Sequence, residues 1–309
     1  VAPPLSVYMI AELPVRNNAS ILDYIPIFWI WLTLSFVLFT LMPHAISGGL
    51  QHMYETLIWE ETFPGCSLNE HNWNRRVGNW QLSSDGQPVV PGWGNRERQY
   101  YTPHNLEVSD GTLKIIARQE EAPEQFGIRC PYTSARIDTH GKFSFQYGRV
   151  VFRARCPIGN GLWPAVWMLP EDSVYGPWAA SGEIDIFEAK GRLPQSVFGT
   201  IHFGGVCPQN THTENQAQLP NGQRIDQFHI YELIWEPDSI SWLIDGVPYA
   251  KVNQWDSIDQ SIKYPAPFDR PFYLLVNLAI GGSFDLESAQ NITPQFPAIF
   301  EIDYIRVYQ

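Results

Sequence analysis

The chain is short of cysteine, of basic residues and of helical periodicity, and each shortage removes a class of explanation. It has four cysteines, Cys66, Cys130, Cys156 and Cys207, and no two of them form a CxxC pair. A zinc site built on closely spaced thiolates is thereby set aside. Four cysteines allow three pairings, and their spacing does not choose among them. One or two disulfides are expected if the chain is exported, and free buried thiols if it is not. Lysine and arginine number 20 against 32 acidic residues, for a formal charge of −12. No basic patch is available to neutralise phosphates, which excludes nucleic acid as a partner. The same charge favours a neutral substrate over a polyanionic one. After Gly48 no apolar pattern of helical period runs beyond about eight residues. No internal repeat and no low-complexity tract is present.

There is one long hydrophobic run, residues 25–42, IPIFWIWLTLSFVLFTLM, without a charge. As a helix it would measure ~27 Å, close to the thickness of a bilayer core. Two readings compete. It is the apolar part of a secretory signal, with Ala45-Ile46-Ser47 offering small residues for cleavage before Gly48, or it is an uncleaved signal anchor. The preceding flank, with Glu12, Arg16 and Asp23, lacks the usual positive cluster. Both readings put the remainder outside the cytosol, secreted or held at the membrane through this segment. Asn-x-Ser/Thr sequons at Asn18 and Asn291 fit that placement. The expected organisation is an N-terminal segment over 1–47 and one large domain over 48–309.

That domain reads as all-β. Short apolar or alternating runs recur between Gly, Pro and Asp turns, among them 113–116, 149–153, 166–169, 197–203, 230–235, 240–244, 272–278 and 300–308. Asp245-Gly246, between two such runs, is a hairpin signal. This pattern predicts an antiparallel sandwich or barrel. Aromatic residues make up 14%, with 12 Trp and 14 Tyr, an excess that suits both a sandwich core and a cleft that stacks on sugars.

The informative stretch is Ser181-Gly182-Glu183-Ile184-Asp185-Ile186-Phe187-Glu188-Ala189. Buried ionised carboxylates are costly, so three of them among large apolar residues call for a use. On a strand, Glu183 and Asp185 share a face, and a regular strand turns Glu188 to the other one. One extra residue, a β-bulge, brings Glu188 back. Two carboxylates about 5 Å apart, with a third acid between them, suit a retaining glycosidase. Mutual repulsion keeps one of such a pair protonated near neutral pH.

With its flanks, Gly161-Leu162-Trp163-Pro164-Ala165-Val166-Trp167-Met168-Leu169, Gly199-Thr200-Ile201-His202-Phe203 and the terminal Ile302–Gln309 run, this stretch resembles glycoside hydrolase family 16. Within the family it is similar to the laminarinase-like endo-1,3-β-glucanases, whose motif has two residues before the last Glu. The resemblance covers roughly Glu55 to Gln309. It implies a jelly-roll β-sandwich with a concave cleft and a β-1,3-glucan substrate; the chain is separately expected to be a monomer. The resemblance also implies Glu183 as nucleophile, Asp185 as its helper and Glu188 as general acid/base, with no catalytic cofactor. Trp163 and Trp167 share strand parity and are expected to face the cleft. His202 resembles the family histidine beside the acid/base. Asn95 and Arg136 resemble residues that bind sugar hydroxyls. A structural calcium is implied at Glu61, Asp303 and a backbone carbonyl near Gly111, since hard oxygen donors suit that ion. Ser283-Phe284 departs from the Trp-Pro pair often found at that place. A transglycosylase using the same acids, and a non-catalytic β-1,3-glucan recognition protein, are the alternative readings.

Overall fold

A computed structural model describes residues 54–83, 85–285 and 291–309, all within the unit Ser47–Gln309. The expected signal or anchor at 25–42 and the Asn18 sequon lie outside the described residues. Among the described residues no helix is long and apolar enough to cross a membrane. Among the described residues the helical content is three short 3-10 turns, Gly92–Gly94, Pro103–Asn105 and Pro220–Gly222.

Two eight-stranded antiparallel sheets carry the fold. One runs in the order Thr211–Gln218, Ser196–Phe203, Glu183–Glu188, Leu162–Pro170, Phe272–Ile280, Arg136–Asp138, Asn74–Arg76, with Ser144–Phe145 also paired to Phe272–Ile280. The other runs Val247–Val252, Ser239–Ile244, His229–Glu236, Gly148–Arg155, Ala298–Tyr308, Thr112–Ala117, Leu106–Ser109, with Leu57–Glu61 also on Ala298–Tyr308. This is a sandwich, one of the two forms the strand spacing predicts, and it is the jelly roll that the family resemblance implies. The Asp245-Gly246 turn joins two neighbouring strands with φ of 50° and 77°, the positive pair a two-residue hairpin of type I′ requires.

The core lies between the sheets. Along Leu162–Pro170, Leu162, Val166 and Met168 are buried while Trp163 and Trp167 are half exposed, the period of two of a strand with one face inward. Phe152, Tyr231 and Phe300 of the second sheet meet Phe187 of the first, with ring centroids 5.9, 4.3 and 6.4 Å apart. Each such buried ring contributes about 2–3 kcal/mol.

The four cysteines are unpaired, which corrects the disulfide expectation. They lie in four separate connecting segments between the strands. Burial pushes the Cys130 thiol up to about 11 and the Cys156 thiol well above its ordinary range, so both are inert as nucleophiles at neutral pH.

Candidate active site

Glu183–Glu188 carries the predicted bulge. Val166 pairs with Phe187 and Trp167 with Asp185, so Ile186 has no opposite number. On the other side Asp185 pairs with Thr200 and Glu188 with Phe198, again one residue in excess. The surplus turns both Ile186 and Phe187 into the core, where they are 2% and 1% exposed. Glu188 therefore returns to the face of Glu183 and Asp185. The bulge is tied down from behind: Trp242 of the second sheet donates its indole N–H to the main-chain oxygen of Asp185 at 2.9 Å. Gly199 makes room for that reach, because a Cβ there would lie 2.5 Å from the Trp242 ring.

Each outer acid is held by a tryptophan. Trp163 Nε1 donates to Glu188 Oε1 at 2.8 Å, and Trp178 Nε1 donates to Glu183 Oε2 at 2.9 Å. His202 Nε2 lies 3.3 Å from Asp185 Oδ2 and 3.7 Å from Glu183 Oε1. The histidine thus sits beside the nucleophile position and its helper, and it also acts electrostatically on Glu188. The reason is register: Glu183 pairs directly with His202. Ligand atoms of Glu183, Asp185 and His202 lie within 4.8 Å of one another.

Burial dominates the electrostatics. It pushes Glu183 up to about 8, reinforced by the Asp185 charge and opposed by His202, by the Trp178 hydrogen bond and by Arg136. Asp185 is likewise pushed up to about 8 by burial and then by Glu214 across the sheet. Glu188 goes well above the ordinary carboxylate range through burial, then Asp185, with Glu183 adding to it. Burial and acidic neighbours thus favour a proton on Glu188, as a general acid requires. Glu183 keeps a hydrogen-bond donor on its carboxylate and 13% side-chain exposure, which favour its ionised form. The three carboxyls titrate as a set, since each charge raises the cost of the next.

Trp167 Nε1 donates to Asn277 Oδ1 at 2.7 Å, so both predicted tryptophans lie on the acid-bearing face. Arg136, 9% exposed, is sandwiched between Trp93 and Trp167, its guanidinium carbon 4.4 and 4.8 Å from the two ring centroids. Its Nε is buried and has no hydrogen-bond partner among the described residues. Asn95 is exposed, and its carbonyl receives Ser283 N at 2.7 Å. Phe284 stacks on Trp163 at 5.0 Å and 28°, so the departure from Trp-Pro leaves an aromatic wall in place. Gly282 allows this, because a Cβ there would meet Trp163 at 2.8 Å.

The calcium donor set does not assemble as expected. Glu61 is buried and turned inward, accepting from Phe63 N at 3.0 Å, Asn72 Nδ2 at 3.0 Å and Trp73 Nε1 at 3.2 Å. Asp303 is ion-paired with Arg153 on the outer side of its strand. Gly111 forms a tight turn at φ 72°. A calcium ion needs six to eight oxygens, and these two carboxylates already have other partners on different sides of the sheet.

Trp178, Trp93 and Glu97 carry no signature in the sequence. Trp178 stands five residues before Glu183 in the Gly176-Pro177-Trp178 loop, and only its 39% exposure beside the acids marks it.

The chain belongs to the glycosyl hydrolases family 16, whose model matches residues 94–305. Within that family it is laminarinase-like. It is 46% identical over 260 residues to glucan endo-1,3-beta-glucosidase A1 of Niallia circulans, covering 82% of this chain and 38% of that protein. It is 38% identical over 241 residues to glucan endo-1,3-beta-glucosidase of Cryptopygus antarcticus, covering 74% of this chain and 81% of that one. Among solved structures it is similar to the endo-beta-1,3-glucanase from Pyrococcus furiosus, with a TM-score of 0.71, 37% identity, and coverage of 83% and 94% of the two chains. Hydrolases of this family need no catalytic cofactor.

Proposed function

We propose that the domain is an endo-1,3-β-glucanase acting on laminarin-type β-glucan with retention of anomeric configuration. The observation that carries this reading is the bulge, which presents Glu183, Asp185 and Glu188 on one face with an indole N–H on each outer acid. Glu188, kept protonated by burial and its acidic neighbours, gives its proton to the leaving glycosidic oxygen. Glu183 attacks the anomeric carbon from the opposite side and forms a glycosyl ester. Glu188, now a base, takes a proton from water, whose oxygen displaces Glu183 and restores both groups. Asp185, between them, raises both neighbours when it is ionised. Trp163, Trp167, Arg136, Asn95 and His202 contact the sugar on either side of this line. Presence of all three acids favours hydrolysis over glucan recognition without catalysis.

Reducing-end release from laminarin tests this, alongside E183Q and E188Q. Either variant at wild-type activity would remove its residue from the mechanism. Proton NMR of the first products should show the β-anomer ahead of mutarotation, and an initial α-anomer would refute the two-step route. Excess acceptor oligosaccharide separates hydrolysis from transfer to sugar. A polymeric substrate supports action outside the cytosol, with residues 25–42 as export signal or anchor. Fractionating cells that express the full chain tests that placement.

A further inference from the structure

A buried acid outside the catalytic motif, Glu97, is 6% exposed. Its Oε2 accepts from Gln99 Nε2 at 2.6 Å and from Tyr101 OH at 2.7 Å. Its Oε1 faces Asn95 Nδ2 at 3.5 Å, the long limit of a hydrogen bond. Both arms continue. Asn277 Nδ2 donates to Tyr101 OH at 3.2 Å, and Trp167 Nε1 donates to Asn277 Oδ1 at 2.7 Å. Gln99 Oε1 accepts Ile280 N at 2.6 Å, at the start of the Gly281-Gly282 corner. The loop that delivers Glu97 is itself closed: Asn79 Nδ2 donates to the carbonyls of Glu97 and Gln99 at 3.1 and 2.6 Å. Gly92, at φ 59°, lets Glu97 N come so close that a Cβ would stand 2.7 Å from it.

We infer that Glu97 is a positioning residue for the sugar-binding wall. Through the relay Glu97–Tyr101–Asn277–Trp167 it fixes the Trp167 indole, and with it the Arg136 guanidinium stacked between Trp167 and Trp93. A buried carboxylate is costly unless its oxygens are satisfied, and here the donors satisfying it lead directly to the wall. Burial pushes its carboxyl up, while Arg136, Tyr101, Gln99 and Asn95 all favour its charged form. The negative charge also offsets the Arg136 cation. Replacing the acid by glutamine removes the charge: an amide oxygen at the Oε2 place still accepts from Gln99 and Tyr101, but as a weaker acceptor, and the amide N–H then faces Asn95 Nδ2, donor to donor. Glu97 lies outside the reacting acids, so its effect falls on substrate affinity.

The inference rests on the face being a glucan cleft. The test uses the full chain as E97Q and Y101F, with kcat and KM on laminarin, and calorimetric binding of laminari-oligosaccharides in an E183Q background. E97Q should raise KM roughly tenfold with kcat within about threefold, the size of one hydrogen bond to a charged group. Y101F should show the same split, and the double variant should add no more than about twofold, because both changes act on one relay. A folded E97Q with wild-type KM overturns the inference. So does a fall in kcat at constant KM, which would put Glu97 into the chemistry. If E97Q does not fold, Y101F decides alone, since it removes one hydroxyl from an otherwise unchanged ring. Failure of the E183Q parent to bind oligosaccharide would sink the glucan reading itself. Binding by that parent, unaltered when E97Q is added, would sink only the relay.

Discussion

Replacing the nucleophile should stabilise the protein, and the gain should depend on pH. Glu183 is pushed from 4.5 to about 8, chiefly by burial, so the folded state holds its proton more tightly than the unfolded chain does. Below the unfolded value both states are protonated, and the group costs nothing. As pH rises from 4.5 through about 8 the unfolded chain releases its proton first, and the folded state loses stability relative to it. Above both values the full cost applies, at most about 5 kcal/mol for a displacement of this size. Glutamine keeps an oxygen for the Trp178 indole but gives up the attraction to His202. A net gain of about 2–4 kcal/mol is therefore expected at alkaline pH. For a domain of this size that corresponds to a rise in Tm on the order of 5–10 °C. Thermal melts of wild type and E183Q by scanning calorimetry, from acid to alkaline pH, measure it. The two curves should coincide near pH ~4 and separate as pH rises. A gain that is the same at both ends, or a loss at the alkaline end, would refute the claim that this carboxylate is charged against a desolvating surround.

Three further outcomes are expected. W178F keeps the ring but removes the N–H that favours ionised Glu183, so the acid limb of kcat/KM should move up by about 0.5–1 pH unit; a limb that stays in place would show that the indole does not act on the nucleophile. E188Q should lower polymer hydrolysis by about 10²–10⁴-fold, yet lose far less on an aryl β-glucoside whose leaving group needs no proton; equal loss on both substrates would deny Glu188 the acid role. Millimolar calcium and EDTA should give the same Tm, because Glu61 and Asp303 have partners within the protein; a rise of several degrees with calcium would mean that main-chain oxygens build a site the carboxylates do not.

The parts legible in the sequence were those with a period. Long apolar runs such as 272–278 and 300–308 announced their strands, and Asp245-Gly246 announced its turn. The broken period at Ile186-Phe187 announced the bulge, and with it all three acids. What stayed hidden has no local period. Thr211–Gln218, the edge strand beside Ser196–Phe203, reads THTENQAQ and is polar on both faces, because one face meets the cleft and the other is only half covered. The short strands Arg136–Asp138 and Gln99–Tyr101 are too brief for alternation to register. Trp178 and Glu97 act through contacts across loops, and a side chain's reach over a loop leaves no trace in spacing. The partners of Glu61, Asp303 and His202 were hidden for a related reason: a motif gives the residue but not which way its carboxylate turns or which neighbour its register selects.

The bulge makes the interior of the protein a ruler. Glu183 and Glu188 stand at its two ends, and the gap between them is kept by what Phe187 presses against. Those surfaces belong to Phe152, Tyr231 and Phe300 on the opposite sheet. A change at Phe300, behind the reacting face and in no contact with sugar, would let Phe187 settle inward and drag the acid with it. Variation in the oily centre of this domain is thus open to selection through turnover as well as through stability. Two sites that share no ligand are joined by a single surplus residue.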